Sequence, residues 1–173
     1  GDQPFSGFIE LHIEQGPILE AEGKSIGVVD HGQGVLWYDG KITGFESHAG
    51  STPMHLRRDA LATLSEIVLA VEKIATELGP NAVGTVGEAV IASPSRNVIP
   101  GEIAFTIDMR SADAAIMDRL DQRLRAAVAS AAAEGRSVMD AVDSVLGGPW
   151  DRELEPFRFA GDGVPVRWLH QVG

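Results

Sequence analysis

Cysteine is absent from all 173 residues. Disulfides and thiolate metal sites are therefore excluded, and any metal must be held by the five histidines and the carboxylates. Basic residues are few: 14 Lys and Arg stand against 25 Asp and Glu, a formal charge of -11, and the longest basic cluster is Arg57-Arg58. Phosphate backbones are bound through a concentrated positive footprint, so nucleic acid is not the expected partner. No apolar run approaches the roughly 20 residues of a membrane span. The N-terminus lacks the basic-then-apolar order of a secretion signal, and a cytoplasmic protein is expected. No internal repeat or low-complexity segment occurs, and 44% apolar residues suffice for a packed core. The length suits one ordinary domain with a portion of a second. Gly1 stands where a methionine would, and strand-like FSGFIELHIE follows within a few residues, which suggests a piece of a longer protein.

What is present is strong periodicity. Phe8 to Glu14 alternates, with Ile9, Leu11 and Ile13 facing one way and Glu10, His12 and Glu14 the other, as in a strand. A histidine between two acids on one strand face is one way to build a metal or acid-base site. On pattern alone a half-exposed strand with a solvated polar face is the preferred reading. Gln15-Gly16-Pro17 stops this strand, Ile18 to Glu22 is read as one helical turn ended by Gly23, and Ser25 to Asp30 as a second short strand.

From Val35 to His48 a long strand is expected, bulged or turned at Asp39-Gly40. A helix is predicted over Arg57 to Leu78, its stripe made by Leu61, Leu64, Val68, Val71, Ile74/Ala75 and Leu78, with Gly79-Pro80 ending it. Val83 to Ser93 is strand-like, Pro94 to Gly101 a loop, and Glu102 to Arg110 a strand with Ile103, Phe105, Ile107 and Met109 on one face. A second amphipathic helix covers Asp113 to Glu134, with Ile116, Leu120, Leu124, Ala127/Val128 and Ala131 on its stripe and Ser111 or Asp113 as cap. Ser137 to Leu146 is the last expected strand. The order strand-helix-strand-strand-helix-strand predicts an α+β, ferredoxin-like βαββαβ two-layer sandwich, a four-stranded antiparallel sheet with two helices on one face. Trp37 and Tyr38 are read as packing residues, and Glu66, Glu72 and Glu77 as the solvated face of a helix.

One loop is placed for chemistry. His48 sits among Gly50, Ser51, Thr52 and Pro53 at the entrance of the first long helix, and loops on rigid scaffolds carry function often. Alone, such a histidine reads as a solvated surface residue.

Four stretches together change that reading: ELHIEQGP, SHAGSTPM with RRDA, SRNVIPG and FTIDMRS. In order and spacing they resemble the amidase/hydantoinase/carbamoylase branch of the dinuclear-metal aminoacylase and carboxypeptidase superfamily. That branch includes N-carbamoyl-L-amino-acid hydrolases, β-ureidopropionases and allantoate amidohydrolases. The likeness covers roughly Phe8 to Glu134. It implies that His12 binds one of two catalytic metal ions, with Gln15 beside it near the substrate. It implies that His48 reaches into an active site, commonly the partner subunit's, and polarises the scissile carbonyl. Asn97 and Arg110 would hold the carboxylate and amide end of the substrate. The chemistry is apt: a guanidinium offers a planar fork to a carboxylate, and an imidazole N–H can donate to a developing oxyanion. The metal pair would be zinc or manganese, with cobalt or nickel also suited to His/carboxylate ligands. His31, His55 and His170 match nothing in the pattern and read as surface residues.

The resemblance further implies three segments: residues 1–33 as an edge of a metal-binding catalytic domain, 34–147 as a lid and dimerisation domain, and 148–173 as a tail of unassigned structure. It implies a homodimer through the lid. The family's other metal ligands, a His, an Asp and a Glu pair upstream and a His downstream, have no counterpart here, so this chain alone is expected not to hydrolyse substrate or hold metal stably. After Gly147 the sequence departs from the family, through either frameshift, truncation or divergence. Two functions stay open. One is part of an amidohydrolase acting on linear C–N bonds of N-carbamoyl amino acids or allantoate. The other is a non-catalytic ferredoxin-like module that dimerises or binds a small carboxylate.

Overall fold

The alternating Ile103, Phe105, Ile107 and Met109 form one face of a strand, and all four are buried. This computed structural model describes residues 7–133 and 138–144. Its elements in order are α1 (Ile18–Ala21), β1 (Gly34–Thr43), β2 (Ser47–His48), a 3-10 turn (Met54–Leu56), α2 (Ala60–Leu78), β3 (Ala82–Ile91), β4 (Val98–Ile99), β5 (Glu102–Ser111), α3 (Ala114–Ala133) and β6 (Val138–Ser144). The fold is α+β. Four strands form an antiparallel sheet in the order β3-β5-β1-β6, and β2 and β4 form a separate two-stranded pair.

The β1–β5 ladder runs unbroken from Gly34 opposite Ser111 to Thr43 opposite Glu102. No bulge interrupts Asp39-Gly40; the register shifts instead against β6, between Lys41 and Ile42, and between β3 and β5 at Val86/Glu88. Tyr38, Gly40 and Ile42 share the buried face of β1 with the β5 alternation. Gly40 lies opposite Phe105, and a Cβ there would stand 2.2 Å from the ring's Cζ, so the phenyl ring fills the space a side chain would need.

The strand expected to run to His48 ends at Thr43, because the chain leaves the sheet at Gly44 and pairs again only as β2. The first long helix starts three residues later than expected, where the Asp59 carboxylate accepts from the Leu61 and Ala62 amides at 2.9 and 3.2 Å. Its buried side is Ala60, Thr63, Leu64, Ile67, Val71, Ile74, Ala75 and Leu78. The predicted stripe was therefore turned on the helix: Leu61 and Val68 are exposed, whereas Thr63 and Ile67 pack inward. A small Ala or Thr is buried where the helix approaches the sheet closely, and hydropathy counting under-weights such positions. In α3, Asp113 is the cap, accepting from Ala115 and Ile116 amides, and Ser111 accepts from the Asp113 amide. Leu120, Leu124, Val128 and Ala131 are buried as expected.

One polar tie joins the two layers, and another joins the two long helices. The buried Tyr38 hydroxyl donates to Asp121 on α3 at 2.7 Å, and Arg125 grips the same carboxylate at 2.9 and 3.0 Å. Burial, then the Asp121 hydrogen bond and charge, hold the Tyr38 hydroxyl far above the usual tyrosine range. Glu77 is not merely solvated: Arg123 of α3 hydrogen-bonds it across the helix pair.

Residues 7–30 belong to a separate compact unit. Within it Ile18–Ala21 is helical as expected, ended by Gly23 at φ 64°. The alternating Phe8–Glu14 stretch and Ser25–Asp30 are not strands. Ile9 and Leu11 are 97% and 98% exposed. An alternating pattern becomes a strand only when it pairs into a sheet, and neither stretch is a member of the two sheets formed by the described residues. The last expected strand forms as β6; the tail after Ser144, with His170, lies outside the described residues. No helix among the described residues is long and apolar enough to cross a membrane.

Replacing Gly40 by Ala forces the new methyl into the buried Phe105 ring. We expect a lower urea midpoint, worth about 1–3 kcal/mol of overpacking, with an unchanged midpoint showing that the ring yields freely.

Candidate functional site

Where β1 ends, the chain passes so close to its neighbours that only glycine fits. The Gly44 amide donates to the Gly101 carbonyl at 2.6 Å, and a Cβ on Gly44 would stand 2.3 Å from the Arg58 carbonyl oxygen. The Phe45 amide donates to that same oxygen, and the Ala60 amide donates to Pro100. This crossing ties three segments together and sends β2 and β4 out side by side. His48 lies opposite Val98, and the Ala49 amide donates to the Asn97 carbonyl at 2.8 Å. His48 and Asn97 are thus adjacent, and both are exposed.

The His48 ring is set by its own loop. Its Nδ1 accepts from the Gly50 amide at 3.0 Å and the Ser51 amide at 3.2 Å. A nitrogen that accepts carries no proton, so in the neutral ring the proton sits on Nε2, which is then a donor. The Thr52 amide closes the turn on the His48 carbonyl. Arg57 braces it from the other side, Nε on the Thr52 carbonyl at 3.0 Å and Nη2 on the Ala49 carbonyl at 2.6 Å. In Asn97 the side-chain oxygen accepts from Ser95 Oγ at 2.9 Å, which orients the amide.

Arg110 stands elsewhere. It lies eight residues along β5 from Glu102, about 26 Å at the rise of a strand, while the His48–Asn97 pair hangs from the Glu102 end. The chain therefore does not bring Asn97 and Arg110 onto one small ligand. Arg110 projects on the face of β5 opposite the core, together with Asp108, two residues before it, and Trp37, opposite Asp108 on β1. Asp108 receives Arg110 Nε at 2.8 and 3.1 Å and Nη2 at 2.5 Å, and Trp37 Nε1 at 2.9 Å. One guanidinium edge is occupied, and the Nη1–Nη2 edge remains for a second carboxylate. Burial pushes the Asp108 carboxyl up, but hydrogen bonds from Arg110 and Trp37 and the Arg110 charge outweigh it, and its pKa lies below the usual carboxylate range. The Asp108 bond in turn raises Arg110. Trp37 is thus no simple packing residue: it is 46% exposed and serves as a donor.

Three contributors were not singled out from sequence. Arg57 is in the quoted RRDA stretch, and its role needs the fold. Asp108 carried a usable signal, because i and i+2 share a strand face. Trp37 needed the β1–β5 register.

In the first unit, His12 Nδ1 lies 2.5 Å from the Ile13 carbonyl and so donates to it, leaving Nε2 as the bare nitrogen of the neutral ring. Gln15 holds φ 55°, the one described non-glycine residue in the left-handed region. Glu14 does not flank His12 on a strand face; its carboxylate accepts from the Ile18 and Leu19 amides at the start of α1. Among the described residues no group of three or more His, Cys, Asp or Glu is arranged to hold a metal ion. The implied dinuclear centre is therefore not one the described residues build by themselves.

Asp108 titrates below its unfolded value, so its contribution to stability is complete above the unfolded pKa of about 4 and is lost as pH falls through that value towards the folded one. Asp108→Asn is expected to flatten the acid side of a plot of urea midpoint against pH; a wild-type slope in the variant would remove this assignment.

Residues 58–171 match a family model described as "Protein of unknown function (DUF3145)". The chain is 47% identical over 126 residues to an N-carbamoyl-L-amino-acid amidohydrolase of Rhizobium meliloti, covering 73% of this chain and 30% of the relative. It is 41% identical over 122 residues to the allantoate amidohydrolase of Escherichia coli K12, covering 70% and 30%. Its fold resembles an amidase of the hydantoinase/carbamoylase family from Burkholderia multivorans, with TM-score 0.73, 45% identity, and coverage of 77% of this chain and 32% of that one. The chain spans about 30% of the length of the curated relatives it matches. It belongs to the family of the DUF3145 model and, by these relatives, to the hydantoinase/carbamoylase amidohydrolases.

Proposed function

We propose that this chain carries substrate-carboxylate recognition and dimerisation for a metal-dependent cytoplasmic amidohydrolase that cleaves linear C–N bonds of N-carbamoyl-L-amino acids or allantoate-like ureido compounds. The likeness to proteins named for those two substrates supports the substrate class. The observation that carries the mechanism is the His48 ring, whose Nδ1 takes two backbone amides and whose Nε2 is left to donate. Such a donor stabilises negative charge as it develops on a carbonyl oxygen. Arg110, with one edge on Asp108, offers the other to the substrate carboxylate. Asn97, beside His48, supplies amide hydrogen bonds. His12 and Gln15 are the metal and substrate contacts proposed for the first unit. Zinc, manganese, cobalt or nickel would polarise the carbonyl and activate water when bound, with its remaining ligands supplied from beyond the described residues.

The separation of Arg110 from the His48–Asn97 pair supports a dimer in which one ligand meets Arg110 of one copy and His48 of the other. The sheet supports it as well. Among the described residues no strand pairs with the outer edge of the ten-residue β3, with Val83 and Val90 exposed, and α2 exposes Leu61 and Leu69. The strand order β3-β5-β1-β6 supports the ferredoxin-like reading of the sheet; we assign residues 34–147 to a lid domain and residues 1–33 to the edge of a catalytic domain.

In the complete amidohydrolase to which we assign this chain, Arg110→Ala should lower kcat/KM for N-carbamoyl-L-amino acids by about 100-fold or more, the loss of a bidentate charged contact, with metal content unchanged. Unaltered kinetics would remove the role given to Arg110. Sedimentation of the chain should report a dimer that Val83→Lys weakens; a monomer at all concentrations would count against the shared site.

A further inference from the structure

We infer that Arg57 is the positioning residue of His48, acting through the peptide group between Ala49 and Gly50. The inference rests on the donor role proposed for His48 and adds what sets that role. Arg57 Nη2 donates to the Ala49 carbonyl at 2.6 Å, and the Gly50 amide donates to His48 Nδ1 at 3.0 Å. That carbonyl and that amide belong to one planar trans peptide, so the direction of one fixes the direction of the other. Holding the oxygen towards Arg57 aims the N–H at the imidazole. The second guanidinium bond, Nε to the Thr52 carbonyl at 3.0 Å, holds the far end of the same turn, whose Thr52 amide returns to the His48 carbonyl. Between the two clamped carbonyls lies Ser51, the other donor to Nδ1. Arg57 thus fixes which ring nitrogen carries the proton without touching the ring or any ligand. The task demands arginine's rigid fork: two carbonyls three residues apart are held by two N–H groups of one plane, whereas a lysine ammonium is a single point. Arg57 is half-buried, so solvent competes with these bonds only in part.

The test reads the tautomer directly. In the 15N-labelled chain at alkaline pH, long-range proton–nitrogen spectra distinguish Nε2–H from Nδ1–H imidazoles, and His48→Gln identifies the signal. We expect His48 to be predominantly Nε2–H, by about tenfold over the other tautomer for two accepted backbone bonds. Arg57→Ala should bring the ratio towards that of a free histidine side chain, and Arg57→Lys should fall between. A folded Arg57→Ala chain with the wild-type tautomer ratio overturns the inference. If that variant does not fold, the native chain still decides. The Arg57 Nε–H should exchange with solvent more slowly than the Nε–H of the exposed Arg96; equal rates overturn the clamp. None of these readouts uses turnover. A clamp that fails leaves the proposed role of His48 standing, whereas a clamp that holds while His48→Ala leaves catalysis of the complete enzyme unchanged removes only that role.

Discussion

The pairing of β1 with β5 is the constraint on which the rest depends. Ten residue pairs in unbroken register put every second side chain of both strands on the same side of the sheet. One side takes Tyr38, Ile42, Ile103, Phe105, Ile107 and Met109 and is covered by α2 and α3. The other side takes Trp37, Asp108 and Arg110. A slip of one residue would bury the arginine and expose the core, so hydrophobic burial also fixes where the guanidinium stands. Gly40 shows how tight the arrangement is, since its missing side chain is the space that Phe105 fills.

The second constraint lies at the end of the sheet. Gly44 lets three backbone segments meet, and their hydrogen bonds to Gly101, Arg58 and Pro100 launch the two-residue pair that carries His48 and Asn97. The loop then builds its own electrostatics from main-chain groups: two amides on Nδ1, two carbonyls on Arg57. These groups lie at the opposite end of β5 from Arg110. In the function proposed here, that distance makes each chain half of two sites rather than the whole of one, and ties substrate recognition to association.

Much of this was legible in the residues. Period-two alternation gave β5 and its buried face, and 3.6-residue periodicity gave both long helices, because burial against a single partner surface leaves those periods in sequence. The four quoted motifs led to the hydantoinase/carbamoylase family. Legibility ended where a pattern needed a neighbour. Phe8–Glu14 alternates as well as β5 does, yet it is exposed and forms no strand. The α2 stripe was turned because Ala60 and Thr63, weakly hydrophobic, are fully buried beside Ile67. Trp37 passed for packing because only cross-strand register brings it to Asp108.

By itself the sequence determined the α+β class, the order of the elements around β1, the inward face of β5 and the loop that bears His48. Each follows from local period or turn chemistry, which acts between residues near in the chain. Tertiary structure alone decided the pairing of Trp37 with Asp108 and the placing of Arg110 far from Asn97. Those depend on hydrogen bonds between groups brought together by strand register and by the crossing at Gly44, and no local pattern encodes such distances.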